Sequence, residues 1–431
     1  MAQRIYIETY GCSLNQSDSE VMAGLLEGEG FVLCDSPEEA DLVLLNTCTV
    51  KDQSYRNFQK RLTALEAQGQ KVLLAGCIPQ AAPRETVLDG HTIVGTHALD
   101  RIPEAVRLTL GGREGRFLKP SPTPRLSLPK RRKNPAVEII PICKGCLDHC
   151  AFCQTKLARG GLRSYPVAEI VEQARRAVAE GVCEIWLTSQ DNGAYGHDIG
   201  SSLPELLGAV LNLPGQFMVR LGMANPHFVR DHKAALLEVF QHPKIYKFLH
   251  IPVQSGSDKV LNDMLRHYSA EDFEGLCAAF RERIPQIHIS TDIIAGFPTE
   301  TEVDFEATLS LLRRTRPETI NRSKFSPRPG TRAARLKPLP SAVLSRRSKT
   351  LSDVAEELFA AGNAAWMGWE GEALVSDRRK EGSVVARNFA YKPIVVAGDY
   401  PLRSLLKLKI TGSTVYHLMG EVLPVRSEQM C

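Results

Sequence analysis

The chain of 431 residues has no run of eighteen or more apolar residues, which leaves no segment to cross a membrane as a helix. Its opening, MAQRIYIETYGC, lacks the apolar stretch of a secretion signal and begins at once with strand-like alternation. A reducing, cytoplasmic setting is expected, in which the eleven cysteines are thiols or metal ligands rather than disulfides. No histidine follows a CxxC at zinc-finger distance, which argues against a finger-type zinc module. Acidic residues are nearly missing from one stretch: residues 313–349 hold one, Glu318, against twelve Lys and Arg.

What is present is an ordinary globular composition, 43% hydrophobic and 24% charged, in a chain long enough for two or three cores. The net charge of +4 conceals a polarity, because residues 1–108 carry nine Lys and Arg against fifteen Asp and Glu. The cationic surplus lies further on, in 313–349 and in Lys130-Arg131-Arg132-Lys133 of a proline-rich connector. A single charge run is usually a solvated face. Two runs on one half of a polarised chain point to a polyanionic partner, nucleic acid first.

Strand and helix signals alternate through the first hundred residues: RIYIET (4–9), a helical spacing at 17–30, DLVLLNT (41–47), a helix at 54–68 and KVLLAG (71–76). Such alternation predicts an open parallel α/β sheet. Cys12, Cys48 and Cys77 each come just past a strand, on the edge where such sheets bind ligands. They form a candidate cluster site with three protein thiolates and one open position. Cys34, in FVLCDS, is expected mid-strand as a core thiol.

After the connector the rhythm resumes with strands at 137–142, 184–189, 217–223, 247–253, 287–294 and 319–325. Six βα units predict a partial (β/α)6 barrel with its site on the loops after the strands. The loop after the first of these strands is CKGCLDHCAFCQTK (143–156). Its four cysteines can be read as CxxCxxxC (Cys143, Cys146, Cys150) or as CxxxCxxC (Cys146, Cys150, Cys153). Three soft thiolates on one loop suit an iron–sulfur cluster with an open iron.

CxxxCxxC in this position resembles the signature of radical S-adenosylmethionine enzymes. The strings YGCSLNQSDSE, LLNTCTVK, LAGCIPQ, LGMANP (221–226), HIPVQSGSDKVLNDMLRHYS (250–269), TDIIAGFPTETEVDF (291–305) and SPRPGT (326–331) resemble the methylthiotransferases of that superfamily. CQTKLARG and SQDNGAYGHDIG are similar to the archaeal–eukaryotic group acting on threonylcarbamoyladenosine in tRNA. The tail from about 363 resembles a TRAM domain, a small antiparallel β-barrel that binds RNA. The implied division is 1–108 as the N-terminal methylthiotransferase domain, 109–135 as linker, 136–362 as the radical domain and 363–431 as TRAM.

The resemblance implies two 4Fe–4S clusters, one on Cys146, Cys150 and Cys153 and a sulfur-donating one on Cys12, Cys48 and Cys77. Cys143 then falls outside the motif. S-adenosyl-L-methionine would bind the open iron of the first cluster, with Phe152 against its adenine. Its radical would abstract hydrogen from carbon 2 of the substrate adenine, and a second S-adenosylmethionine would supply methyl. Adding sulfur to an unactivated aromatic C–H needs such cofactor chemistry. Ser189, Gln190 and Asp191, with Gln254, Ser255 and Asp292, are expected to position cofactor and base. Arg159 and Arg163 face phosphate or substrate, or make surface ion pairs; His149 is expected to be exposed or to back the ligands. Expected partners are a tRNA anticodon stem-loop and an electron donor such as a flavodoxin or ferredoxin, with no membrane. Alternatives are methylthiolation of isopentenyladenosine or of a ribosomal-protein aspartate, or a non-catalytic zinc-containing RNA-binding protein.

Overall fold

In the computed structural model, which describes residues 2–50, 52–380 and 382–424, LVLLNT and VLLAG are buried along their whole length. Apolar runs without alternation need cover on both faces. They receive it in a parallel sheet of β1 (Arg4–Thr9), β2 (Val32–Leu33), β3 (Leu42–Thr47), β4 (Val72–Gly76), β5 (Thr92–Gly95) and β6 (Arg116–Phe117), in the order β2-β1-β3-β4-β5-β6. Leu42, Leu44 and Leu73 face one core with Met22 and Leu26 of α1 (Ser13–Gly28). Val43, Leu45 and Leu74 face another with Phe58 and Leu62 of α2 (Asp52–Ala67). Each fully buried Leu contributes about 1.5–3 kcal/mol. Because β2 and β3 flank β1 on opposite sides, the order reverses between β1 and β3. That reversal opens a crevice at their carboxyl ends.

Two expectations change here. Strand β2 is only Val32–Leu33, so Cys34 follows the strand instead of lying inside it, half-buried with its Sγ 3.4 Å from the Ser36 carbonyl. The stretch 109–135 is also more than a connector. It opens with the end of α4 (Ile102–Leu110), and β6 then pairs with β5.

Lys130, Arg131 and Arg132 of that basic run are paired with carboxylates, while Lys133 is exposed. Lys130 pairs with Glu20 (3.1 Å) and Glu138 (2.6 Å), Arg131 with Glu27 (2.7 Å), and Arg132 with Glu138 and Glu180 (2.6 Å). Glu20 and Glu27 belong to the first domain, Glu138 and Glu180 to the second. The run fastens one domain to the other. Part of the 313–349 band is likewise spent internally, through Arg346 on Glu302 and Arg347 on Glu300 and Glu302.

The second domain has β7 (Val137–Pro141), a two-residue antiparallel pair β8 (Cys143–Lys144) and β9 (Arg163–Ser164), then β10 (Glu184–Thr188), β11 (Met218–Leu221), β12 (Phe248–His250), β13 (His288–Ala295) and β14 (Thr319–Lys324). Strands β7, β10 and β11 pair in parallel, as do β12, β13 and β14. The Val219 N–H to Lys244 carbonyl bond (2.7 Å) and the Tyr246 N–H to Val219 carbonyl bond (2.9 Å) join the two sets. The result is the expected six-stranded partial barrel. Its core runs from Ile140 through Leu187, Leu221 and Leu249 to Ile289 and Ile320.

The last domain is a closed barrel of β15 (Glu370–Lys380), β16 (Ser383–Arg387), β17 (Pro393–Ala397), β18 (Leu405–Ser413) and β19 (Leu418–Val422). It is antiparallel except where β17 and β19 pair in parallel. Residues 425–431 of the expected TRAM span lie outside the described residues. Tyr391 packs on Tyr246 and Phe248 (ring centroids 4.8 and 5.3 Å), and Leu374 meets Val137 and Cys183. These partners lie at or before the amino-terminal ends of the partial-barrel strands. The small barrel therefore plugs the end opposite the cysteine loops.

Candidate metal centres at the strand ends

Cys12 follows β1, Cys48 follows β3, and Cys77 opens α3 (Cys77–Ala81) directly after β4. The crevice at the sheet reversal thus brings the first two together. Gly11 adopts φ +110°, and a Cβ there would stand 2.6 Å from the Cys48 Sγ. Only glycine lets the turn at Cys12 close on Cys48. Cys12 is exposed, while Cys48 and Cys77 are buried. Burial pushes the Cys48 thiol up to about 12, and Cys77 and Cys12 beside it push the same way. Three sulfur donors on one sheet edge are a donor set that soft metal clusters take. The donor set fits a cluster held by three cysteines.

Arg159 enters this site from the other domain. It ends α5 (Thr155–Arg159), the helix directly behind Cys153, and is buried rather than turned to phosphate or to the surface. Its Nη2 donates to Asn15 Oδ1 (2.8 Å) and to Cys77 Sγ (3.5 Å), and pairs with Asp18 Oδ2 (2.7 Å). Arg125 takes the other oxygen of Asp18 at 2.8 Å. Arg163, by contrast, is exposed.

In the second domain the β8–β9 pair ties the neck of the cysteine loop. Gly145, at φ +73°, lies so close to the Gly161 carbonyl that a Cβ would approach to 1.9 Å. Beyond this neck Cys146, Cys150 and Cys153 are partly exposed, and His149 is exposed. Cys143 differs. It is buried in the barrel core with its Sγ 3.8 Å from the Asp191 carbonyl, and burial pushes its thiol up to about 12.

Phe152, Cys153, Gln254 and Asp292 line one cleft of about 150 Å³, whose far wall is Thr49, Val50 and Asp52. The loop carrying Cys48 and the loop carrying Cys153 therefore border the same space. Gln254 adopts φ +70°, a left-handed conformation rare for a side-chain-bearing residue, and is pinned by Gln254 N–H to Asp292 O (2.8 Å) and Ile294 N–H to Gln254 O (3.0 Å). Asp292 accepts from Asn321 Nδ2 (2.7 Å) and lies 3.0 Å from His250 Nε2. Gln190 Oε1 is buried without a hydrogen-bond partner among the described residues. Ser189 covers Cys143. Ser255 is occupied by Thr308 and the Ser257 N–H, a structural role.

Asp191 is fully buried. It accepts from Gly193 N–H (3.0 Å), Asn225 N–H (3.0 Å) and Asn225 Nδ2 (2.6 Å), and burial pushes it up to about 6. Asn225 Nδ2 also donates to Asp148 Oδ2 (2.8 Å), and Asn225 Oδ1 accepts from Arg266. Arg266 Nη1 in turn donates to Cys150 Sγ at 2.9 Å. Sequence reasoning missed this network. Its signal was present, since Asn225 lies in LGMANP and Arg266 in MLRHYS.

The fold is that of the radical S-adenosylmethionine enzymes. A radical S-adenosylmethionine methyltransferase from Kitasatospora setae superposes with a TM-score of 0.54 at 16% identity over 75% of this chain and 73% of that one. The Radical SAM superfamily matches residues 140–312, and the family described as "Uncharacterized protein family UPF0004" matches residues 4–95. Curated relatives are a Drosophila melanogaster threonylcarbamoyladenosine tRNA methylthiotransferase, 43% identical over 98% of this chain and 78% of its own length, and the human protein of that name, 42% identical over 91% and 69%. A Pyrococcus abyssi protein named as a probable enzyme of this kind is 38% identical over 97% of this chain and 99% of its own. The chain belongs to the family of threonylcarbamoyladenosine tRNA methylthiotransferases.

Proposed function

We propose that the chain adds a methylthio group to carbon 2 of threonylcarbamoyladenosine next to the anticodon of tRNA. The observation that carries this reading is the shared cleft, with Phe152 and Cys153 on one wall and Thr49 and Val50, beside Cys48, on the other. Cys146, Cys150 and Cys153 would hold one 4Fe–4S cluster and Cys12, Cys48 and Cys77 a second. Bound there, the first would supply the electron that cleaves S-adenosylmethionine to its radical, and the second the sulfur. Phe152 offers a face for an adenine, and the strained Gln254 backbone fixes the floor of the cleft. Asn321 and His250 hold the Asp292 carboxylate in one orientation. An electron must come from an external low-potential protein such as a flavodoxin or ferredoxin. The cytoplasm is the setting we propose for this work. Among the described residues no helix is long and apolar enough to cross a membrane.

Mass spectrometry of tRNA nucleosides from a deletion strain tests the substrate. The expected result is loss of the methylthio form and retention of unmodified threonylcarbamoyladenosine, restored by the wild-type gene. Loss of a methylthio isopentenyladenosine instead would move the enzyme to the sister substrate.

A further inference from the structure

Both cysteine sets carry a buried guanidinium on one sulfur, but the two cations are neutralised differently. Arg159 is only 3.5 Å from Cys77 Sγ and already has a carboxylate partner, Asp18 at 2.7 Å. Arg266 is only 6% exposed, and every side of it is engaged: Nε to the Tyr268 hydroxyl (2.8 Å), Nη1 to Cys150 Sγ (2.9 Å), and Nη2 to Asn225 Oδ1. Among the described residues no carboxylate pairs with it; Asp148 and Asp191 are held one residue away, through Asn225. A buried cation is stable only beside an anion. Apart from a phenol, the group on Arg266 able to be one is the Cys150 sulfur.

We propose that Arg266 is a positioning residue that raises the reduction potential of the cluster on Cys146, Cys150 and Cys153. This rests on the reading that these three cysteines hold that cluster. The physical reason is charge. One-electron reduction makes a cluster more negative, and a fixed cation hydrogen-bonded to one of its sulfurs stabilises the reduced form. In a dry site that interaction is weakly screened. Tyr268, whose hydroxyl donates onward to the Pro252 carbonyl (2.7 Å), and Asn225 hold the guanidinium in place. The electron comes from the external donor. Arg266 supplies no atom to the reaction and takes no proton from it.

The test is an electron paramagnetic resonance redox titration of the full-length chain, reconstituted anaerobically. A parent variant with Cys12, Cys48 and Cys77 changed to Ala leaves only the second-domain cluster to report. In that parent, Arg266→Gln should keep about four irons. At the potential where the parent is half reduced, its reduced-to-oxidised ratio should fall about tenfold, equivalent to about 59 mV for one electron. Arg266→Lys, which keeps the charge, should recover most of that loss. Arg159→Gln, whose guanidinium is hydrogen-bonded to Cys77 of the other set, should not move the potential. An unchanged ratio in Arg266→Gln at full iron would overturn the proposal, as would an equal loss in Arg266→Lys. Failure of both Arg266 variants to hold iron, with native circular dichroism, would make the residue a structural prop and overturn it too. A parent that holds no iron would defeat the underlying assignment of the cluster itself.

Discussion

The two cysteine sets solve one problem by opposite means. Cys146, Cys150 and Cys153 sit within eight positions on one loop, partly exposed, and need only a tied neck to be brought together. Cys12, Cys48 and Cys77 are scattered over 66 positions and meet only because parallel strands β1, β3 and β4 end on one edge. The first set is local and can form as soon as its loop closes. The second is a product of tertiary structure, with Cys48 and Cys77 buried. One therefore expects the loop set to bind iron in a loosened protein and the strand-end set to fail first.

Separating the sets by chemistry should give the largest effects. Cys153→Ala should abolish reductive cleavage of S-adenosylmethionine, and with it all product, since no other partly exposed thiol remains to complete the loop trio. Cys48→Ala should leave cleavage in place and lose only methylthiolation of the RNA, read by separate assays of deoxyadenosine and of modified nucleoside. Methylthio product from Cys48→Ala would return the strand-end trio to the status of core thiols.

How much of this was legible in the sequence follows from the same contrast. The strands and the loop motif could be read because apolar runs and short spacings are local. The convergence of Cys12, Cys48 and Cys77 was readable from the rule that parallel strand ends share an edge. What stayed hidden are pairings set by tertiary placement. Lys130–Lys133 looks like a nucleic-acid patch until Glu20, Glu27, Glu138 and Glu180 are found against it. Arg159 looks like a phosphate ligand until α5 delivers it to Asp18. Charge runs reveal sign but not partner. Cys34 was misplaced for another reason: an edge strand of two residues is too short to show a period.

The domain junction should break next. Asp18 is buried between Arg125 and Arg159, so Asp18→Ala strands two cations and should cost about 3–5 kcal/mol in denaturant unfolding. Lys130→Met should cost less, about 2 kcal/mol, because Arg132 remains on Glu138 and Glu20 keeps its bond from the Lys133 N–H. Burial tends to raise the Glu138 carboxyl, but Lys130 and Arg132 outweigh it and hold it below its ordinary value. Its contribution is therefore complete above the ordinary glutamate range and is lost as pH falls through the lowered value. In Lys130→Met that acid-side loss should begin at higher pH. Neutralising Lys130, Arg131 and Arg132 should leave the salt dependence of tRNA binding unchanged, because these three cations are spent on carboxylates rather than phosphates. A flattened salt slope would restore the run as an RNA contact. Deleting the small barrel tests less cleanly, since it would also uncover Tyr246 and Phe248.

The smallest effects concern the thiols outside both sets, and they sharpen the boundary of each. Cys143 stands three residues before Cys146 and is the residue that made the CxxCxxxC reading possible. Its Sγ points at the Asp191 carbonyl from within the barrel core, on a strand residue paired with Ser164. Cys143→Ala removes one buried sulfur from that core and should cost about 1–2 kcal/mol in stability, with the iron content and S-adenosylmethionine cleavage kept. Cys34 has less to lose. It is half-buried at the end of an edge strand, and its thiol makes a weak bond to the Ser36 carbonyl, so Cys34→Ala should fall within about 0.5 kcal/mol of wild type. The order of the two costs follows from burial alone, and iron content is the decisive reading. If Cys143→Ala lost about half its iron while Cys153→Ala kept all of it, the first register would hold. The cleft lined by Phe152 and Cys153 would then have no cluster beside it.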